Sequence, residues 1–404
     1  MFAGCAYRAD MPLPASPAPF VLIDDARDTD ARPARLYRDP VEIVAAYRLA
    51  DVQGALERLR SAQEAGLHAA GFLSYEAGFA FEPHLSRLLP DAGEAGAPPL
   101  LWFGLFEECQ AIDAAEVASL LPQNGIATGG ALHSMMDKAD YARAFERVQE
   151  LIRAGDIYQA NLSLPCEIMV PDDVPAFYAD VRARAKAGHG ALVMTGEHWL
   201  LSFSPELFFM AKDGLVTTRP MKGTALRSED ALRDAASAVT LQTDPKQRAE
   251  NLMIVDLLRN DLSRVAQPGS VQVPHLFAVE SYPTVHQMTS TVTARLRTGV
   301  SAVDVLRALF PCGSITGAPK LRAMEVIHDI EQRHRGPYTG SIGALGADGS
   351  AEFNVAIRTV CVKYGDRIGT IGLGSGVVAD SDAQSEWDEC LDKGRFLGPI
   401  AART

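Results

Sequence analysis

The period of the apolar positions changes several times along the chain, and each change marks an element. In "VQGALERLRSAQEAG" at 52–66, Leu56, Leu59 and Ala62 recur at helical spacing and give an amphipathic helix one apolar face. "KADYARAFERVQELIRAGD" at 138–156 keeps the same period and is closed by Gly155. "DPKQRAENLMIVDLLRNDLSRV" predicts a helix with Asp244 as N-cap and Pro245 in its first turn. "GAPKLRAMEVIHDIE" predicts one opened by Pro319, and "AQSEWDECLDKGRFL" predicts the last.

Shorter apolar or alternating runs read as strands. They are "FVLIDD" at 20–25, "HAAGFLSYEAGFAF", "PPLLWFGLFEE", "NLSLPCEIMV", "HWLLSFSPELFFM", "GLVTTRP", "SVQVPHLFAVE" and "TVHQMTSTVTARL". A glycine-punctuated series of strands runs from "YTGSIGALG" to "GSGVVAD". "DAGEAGAPP" at 91–99 reads as a loop and "LPQNGIATGG" at 121–130 as a linker. Strands come in consecutive groups with helices inserted, which favours α+β with antiparallel sheets over a regular βαβ repeat. No fixed-period repeat is visible.

Composition narrows the function. The chain has 404 residues, 47% hydrophobic and 22% charged, which is ordinary for a globular protein able to bury a large core. A net charge of −13 argues against a protein that neutralises phosphate backbones. It does not exclude an anionic small substrate held by a few local cations. The six cysteines show no zinc spacing and suit reduced thiols in a cytoplasmic protein. No basic-then-apolar start resembles a signal peptide. No run approaches the roughly 18 apolar residues of a membrane span.

Several polar residues stand where apolar neighbours are expected. Glu250 lies at the centre of its helix's apolar stripe, between Ile254 and Leu257, where a carboxylate needs a partner or a metal. Alternatively it reaches solvent from the first turn and complements the helix dipole. Glu386, Glu389 and Lys393 can share one face of the last helix, as part of an oxygen cage for Mg²⁺ or as a solvated face. Arg358 is a guanidinium in an otherwise apolar strand, which calls for a carboxylate from protein or ligand. His286 sits in a patterned strand, as a structural or a catalytic histidine. Glu206, among aromatics in "FSPELFF", is either an acid whose pKa desolvation raises, as suits a general acid, or a strand-end carboxylate facing water. "GSITGAPK" lacks the Lys-Ser/Thr of a phosphate loop but places Gly317 at a helix start, where free N–H groups can bind a carboxylate. "GLGSGVVADSD" fits the dinucleotide fingerprint only formally, because about 25 residues remain after it, too few for a βαβ unit. A glycine turn that lets a ligand approach the backbone fits it better.

Taken together, "GDIYQANLS", "FSPELFF", "RPMKGT", "RAENLMIVDLLRNDLSRV", "PTVHQMTS", "GSITGAPKLRAMEVI", "YTGSIG", "AIRT", "GSGVVADSD" and "EWDECLDK" resemble, in order and spacing, the motifs of the chorismate-binding enzymes. The resemblance covers about residues 130–398, with weaker likeness in "FVLIDDARD" and "GFLSYEAG". It implies the anthranilate synthase component I-like fold: antiparallel β-sheets packed as a sandwich with helices outside. Residues 1–125 would complete the sheets and residues 130–404 would form the chorismate-binding catalytic domain.

Within that group, "RPMKGT" discriminates. Aminodeoxychorismate synthases carry lysine where this chain has Lys222, and anthranilate synthases carry alanine. Gln159 stands where isochorismate and salicylate synthases carry a water-activating lysine. The chain therefore most resembles the aminodeoxychorismate synthase branch, with the anthranilate synthase branch as the alternative. A non-catalytic chorismate- or tryptophan-binding regulatory subunit is a second alternative, disfavoured by the intact set Glu206, Lys222, Glu250 and Glu389. "LIDD" at 22–25 replaces the Leu-Leu-Glu-Ser of tryptophan-regulated relatives, so tryptophan control is not expected.

The resemblance implies roles as well. Lys222 would be the nucleophile, Glu206 the general acid and His286 a further catalytic residue. Thr224, Gln159, Arg358, Gly374, Ser375, Gly376 and Lys393 would bind chorismate. Glu250 and Glu389 would hold Mg²⁺, with Glu386 acting through water. No glutaminase-type cysteine is apparent, and Cys312 reads as structural. A separate glutamine amidotransferase subunit would then supply the ammonia.

Overall fold

The computed structural model describes residues 5–7, 13, 17–89, 96–122, 129–282 and 285–401. The expected loop at 91–99 and linker at 121–130 fall partly outside these residues.

Two large sheets carry the fold. The first has 12 strands and includes Phe20–Asp24, His189–Met194, His198–Ser204, Thr359–Lys363, Ile368–Val377 and Gln159–Met169. The second has 10 and includes His68–Leu73, Leu207–Lys212, Leu215–Arg219, Met221–Leu226, Val285–Arg295 and Ala351–Asn354. Pairing is antiparallel, except where Cys5–Tyr7 meets Cys109–Ile112 and Ile400–Ala401 meets Leu132–Ser134. Strands from the first 112 residues enter both sheets.

Alternation along the strands builds three apolar layers. Val21, Ala191, Val193 and Leu200 of the first sheet pack against Ala70, Phe72, Ile342 and Ala344 of the second. That inner layer makes the pair of sheets a sandwich. The outer face of the first sheet is covered by helices Lys138–Arg153, Val174–Ala185 and Ala383–Asp392. The outer face of the second is covered by Leu49–Glu64, Pro245–Ser263 and Ala302–Leu309.

Helix boundaries follow from capping. Asp244 accepts from the Gln247 N–H, with Pro245 next to it, as expected. Asp137 caps Lys138–Arg153 in the same way, and Gly155 beyond that helix has φ +80°. Three expectations need correction. "SYEAGFAF" is not strand: a 3₁₀ helix spans Tyr75–Phe81, with Tyr75, Ala77 and Phe79 buried. "GLGSG" is not a turn: it lies inside the strand Ile368–Val377. Gly317 does not open a helix: it pairs as strand with Ala160, and the helix Lys320–Glu331 starts after Pro319. Three helices, Val174–Ala185, Ala231–Thr243 and Ala302–Leu309, are not among the elements expected from the sequence.

Cys166, Cys312, Cys361 and Cys390 are free and buried. Cys109 is disulfide-bonded, so the expectation of reduced thiols fails there. Among the described residues no helix is long and apolar enough to cross a membrane.

Candidate active site

The chain crosses between the two sheets twice beside one cavity. The first crossing is Pro205–Glu206, between His198–Ser204 and Leu207–Lys212. The second is the segment 355–358, between Ala351–Asn354 and Thr359–Lys363. Pro205, Glu206, Ile357 and Arg358 all line a cavity of about 170 Å³. That is room for a small molecule and not for a peptide. Arg358 is therefore not in a strand, as the sequence suggested. It is a crossover residue with φ +52°.

The first sheet provides the floor. Gly372, Gly374 and Gly376 alternate along one strand, so all three face the cavity. Side chains of other residues occupy the space their own would need. A Cβ on Gly372 would stand 2.1 Å from the Tyr338 ring, and one on Gly376 would stand 2.5 Å from Lys222 Nζ. Ser375, between them, turns the other way and lies 3.4 Å from the Tyr141 hydroxyl. On the neighbouring strand Gln159 and Asn161 share a face. Both amide atoms of Gln159 and Asn161 Nδ2 are buried with no hydrogen-bond partner among the described residues. Buried amides without partners are rare, and here they border a cavity.

The second sheet provides the opposite wall. Met221, Lys222, Gly223 and Thr224 come from one strand and Gln287 from its neighbour. Lys222 Nζ lies 3.6 Å from Glu250 Oε2. Because side chains alternate, Gln287 faces the cavity and His286 does not. His286 is held instead between Ser281 Oγ at 2.8 Å and Asp234 Oδ1 at 3.0 Å. The structure thus brings together Lys222, Glu206, Thr224, Arg358, Gly374, Gly376, Glu389 and Lys393, with Glu250 and Gln159 beside them. It leaves His286 and Ser375 outside the cavity lining.

Electrostatics separate the acids. Glu206 is 4% exposed, and burial raises its pKa to about 7. The Ser314 hydroxyl, at 2.7 Å from Oε1, and the Met221 N–H act against that rise but do not cancel it. Burial also raises Glu250, with Lys222 and Lys246 opposing and Glu386 and Glu389 adding to the rise. Glu389 is partly desolvated, yet Lys393 at 2.6 Å holds its carboxyl below the usual range. Lys393 also donates to the Gly374 carbonyl at 2.8 Å, tying the last helix to the glycine strand. Glu386 accepts from Ser381 Oγ at 2.6 Å. Burial lowers the Arg358 pKa, and its guanidinium stacks 5.9 Å over Phe396.

The three glutamates are near enough to influence one another but do not form a ready cage. Among the described residues no group of three or more His, Cys, Asp or Glu side chains is placed to hold a metal. Their chemistry nonetheless fits a hard cation that completes its shell with water or ligand oxygens. Glu250, raised by burial and by its acidic neighbours, would be relieved by a cation there.

The sequence reading missed Asn161, Ser314, Tyr338 and Gln287. Asn161 was detectable, since it follows Gln159 by two on a strand. Ser314 and Tyr338 lie within motifs already singled out. Gln287 needed the strand's facing, which one sequence does not give.

Residues 19–399 match the sequence profile of the chorismate binding enzymes. The chain belongs to that family. Aminodeoxychorismate synthase component 1 of Salmonella typhimurium is 43% identical over 271 residues, 67% of this chain and 59% of that protein. Anthranilate synthase component 1 of Streptomyces coelicolor is 40% identical over 263 residues, 65% of this chain and 51% of that protein. The chain thus spans about three fifths or less of the length of these curated relatives. The solved anthranilate synthase component I of Streptococcus pneumoniae superposes with a TM-score of 0.76 at 26% identity, covering 97% of this chain and 95% of that one. This member of the chorismate binding enzyme family therefore shares the fold expected from its motifs.

Proposed function

We propose that this enzyme aminates chorismate at C4, yielding 4-amino-4-deoxychorismate for para-aminobenzoate and folate synthesis. The observation that carries the reading is Lys222, whose amine lies inside the cavity over the Gly376 backbone. Arg358 and Lys393 supply cations suited to a dianion, despite the chain's net charge of −13. Glycine at 376 leaves the space beside the strand in which Lys222 Nζ sits.

Lys222, as the neutral amine, attacks ring C2 while the ring double bonds shift and the C4–O bond breaks. Glu206, with a pKa of about 7, carries the proton that the departing hydroxyl takes away as water. The nitrogen now bonded to C2 gives up a proton, which restores Glu206 to its acid form. Ammonia then attacks C4, the double bonds shift back, and the lysine leaves with a proton from the ammonia. The sum is chorismate plus ammonia giving aminodeoxychorismate plus water. Glu250 and Glu389 would hold Mg²⁺, with Glu386 acting through water, and the ion would neutralise the ring carboxylate. Arg358 orients the remaining anionic group, and the buried amides of Gln159 and Asn161 offer it polar contacts.

Ammonia comes from a separate glutamine amidotransferase subunit in this reading. Burial pushes the Cys166, Cys312 and Cys361 thiols up to about 12 and Cys390 to about 11, which suits none of them to nucleophilic glutaminase chemistry.

The test is product identity after incubation with chorismate, Mg²⁺ and ammonium. Aminodeoxychorismate supports the reading, whereas anthranilate or isochorismate refutes it. Lys222→Ala should abolish the covalent adduct and slow amination on the order of 10³-fold. EDTA should stop turnover.

A further inference from the structure

The strand that carries Lys222 is irregular at that residue. Met221 faces Thr289 and Thr224 faces Gln287 on the neighbouring strand. Lys222 and Gly223 together therefore oppose Met288 alone, which is a β-bulge. Gly223 adopts φ +93°, a conformation costly for other residues. A bulge re-aims a side chain but interrupts the ladder bonds that would fix it.

Gln287 replaces those bonds. Its Nε2 donates to the Gly223 carbonyl at 2.8 Å. Its Oε1 accepts from the Thr224 hydroxyl at 2.9 Å. One carboxamide thus spans the bulge, with its donor end and acceptor end each assigned to one neighbour. On the other side Gly223 packs closely against Gln247 and Leu241, where a Cβ would stand 2.9 Å and 3.2 Å away. Clamped from both sides, the bulge directs Lys222 toward Gly376 and Glu250.

We propose that Gln287 is a positioning residue for the nucleophilic lysine: its carboxamide holds the 222–224 bulge so that Lys222 Nζ meets the substrate ring. The inference rests on the role given to Lys222 above. Gln287 acts through the backbone and through Thr224, so it need not touch the reacting atoms. Thr224, assigned to substrate binding by resemblance, commits its hydroxyl to this clamp.

Gln287→Met keeps the side chain's length and removes both hydrogen bonds. With chorismate and ammonium, kcat should fall on the order of 10–100-fold, while KM for chorismate stays within about 3-fold. Formation of the Lys222 adduct, followed by mass spectrometry in a single turnover, should slow by the same factor. The melting temperature should move by no more than about 4 °C. A crystal structure of the variant should show Lys222 Nζ displaced from Gly376. Wild-type kcat and adduct rate would overturn the proposal, as would a rise in KM alone, which would make Gln287 a substrate-binding group. If the wild-type enzyme forms no aminated product, the functional reading fails separately. The position of Lys222 in the variant then decides the clamp, and an unmoved lysine sinks it.

Discussion

Two groups of buried charges sit in this fold, and they are built on opposite plans. Behind the cavity, Glu331 and Arg335 pair at 2.7 Å with both side chains 1% exposed. Arg335 also donates to the carbonyls of Asn161 and Ile315, and Glu76 accepts from the Arg335 and Gly336 N–H groups. Near the N-terminal strands, Glu352 takes Arg35 at 2.9 Å and also bonds Arg32. Despite the cost of burial, these arginines hold Glu331 and Glu352 below the usual carboxylate range. In the cavity the pattern reverses. Glu206 has a hydroxyl and an amide for company and rises to about 7. Glu250 has its closest cation at 3.6 Å, and both ends of the Gln159 amide are unmatched. Burial is common to both groups, so burial alone does not mark a site. What separates the cavity is that Glu206 and Glu250 lack the arginine partners that hold Glu331 and Glu352 ionised.

The contrast can be broken at either end. The largest effect belongs to the paired group. Arg335→Met leaves the buried Glu331 with Ser163 and with Arg333 at 3.7 Å, and should cost about 3–5 kcal/mol in urea unfolding. A loss under about 1 kcal/mol would mean that the network is not what holds the cavity's back wall.

The cavity acids should behave in the opposite sense. The folded-state pKa of Glu206 lies above its ordinary value of 4.5, so the folded protein binds that proton more tightly than the unfolded chain. The stability this gives is complete below about pH 4.5 and is lost as pH rises through about 7. Glu206→Gln, neutral throughout, should match the parent near pH 4.5 and exceed it at pH 8 by up to about 3 kcal/mol. Thermal melts at the two values check it. Amination should meanwhile fall on the order of 10²-fold or more, because the acid is gone. Equal stability at both values would remove the buried-acid argument.

The smallest effect sharpens the comparison. In Gly376→Ala the new methyl meets the flexible end of Lys222 and then Gln159 Nε2 at 3.1 Å. The lysine can move aside, so stability should change by less than about 1 kcal/mol while the rate falls about 10-fold. A melt and a rate assay on the same preparation decide it.

Much of this was legible in the sequence, for reasons that are local. Caps and glycine stops marked the helices at 138–156 and after Asp244, because those signals lie within a few residues of what they terminate. The aromatic neighbours of Glu206 left a desolvated acid and a water-facing carboxylate as equal readings, and its burial decides for the first. Three misreadings share one cause. His286 and Gln287 differ only in which side of a strand they occupy, and register is set by partners far along the chain. Arg358 reads as strand because the apolar run continues through it, yet the chain is changing sheets there. "GLGSG" reads as a turn until Tyr338 and Lys222 are seen filling the spaces that its missing side chains leave. The helices Val174–Ala185, Ala231–Thr243 and Ala302–Leu309 have no counterpart among the elements expected from the sequence, although two of them bury several apolar residues.

The two crossings at Pro205–Glu206 and 355–358 have a consequence beyond placing an acid and an arginine. Lys222, the proposed nucleophile, rides on one sheet and the glycine floor on the other, while Glu206, the proposed acid, and Arg358 stand on the bridges between them. The distance across which the chemistry must work is therefore the thickness of the sandwich itself. That thickness is set by residues such as Ala70, Ala191 and Ala344, which never see the substrate. In this architecture the gauge of the tool is ground into its handle.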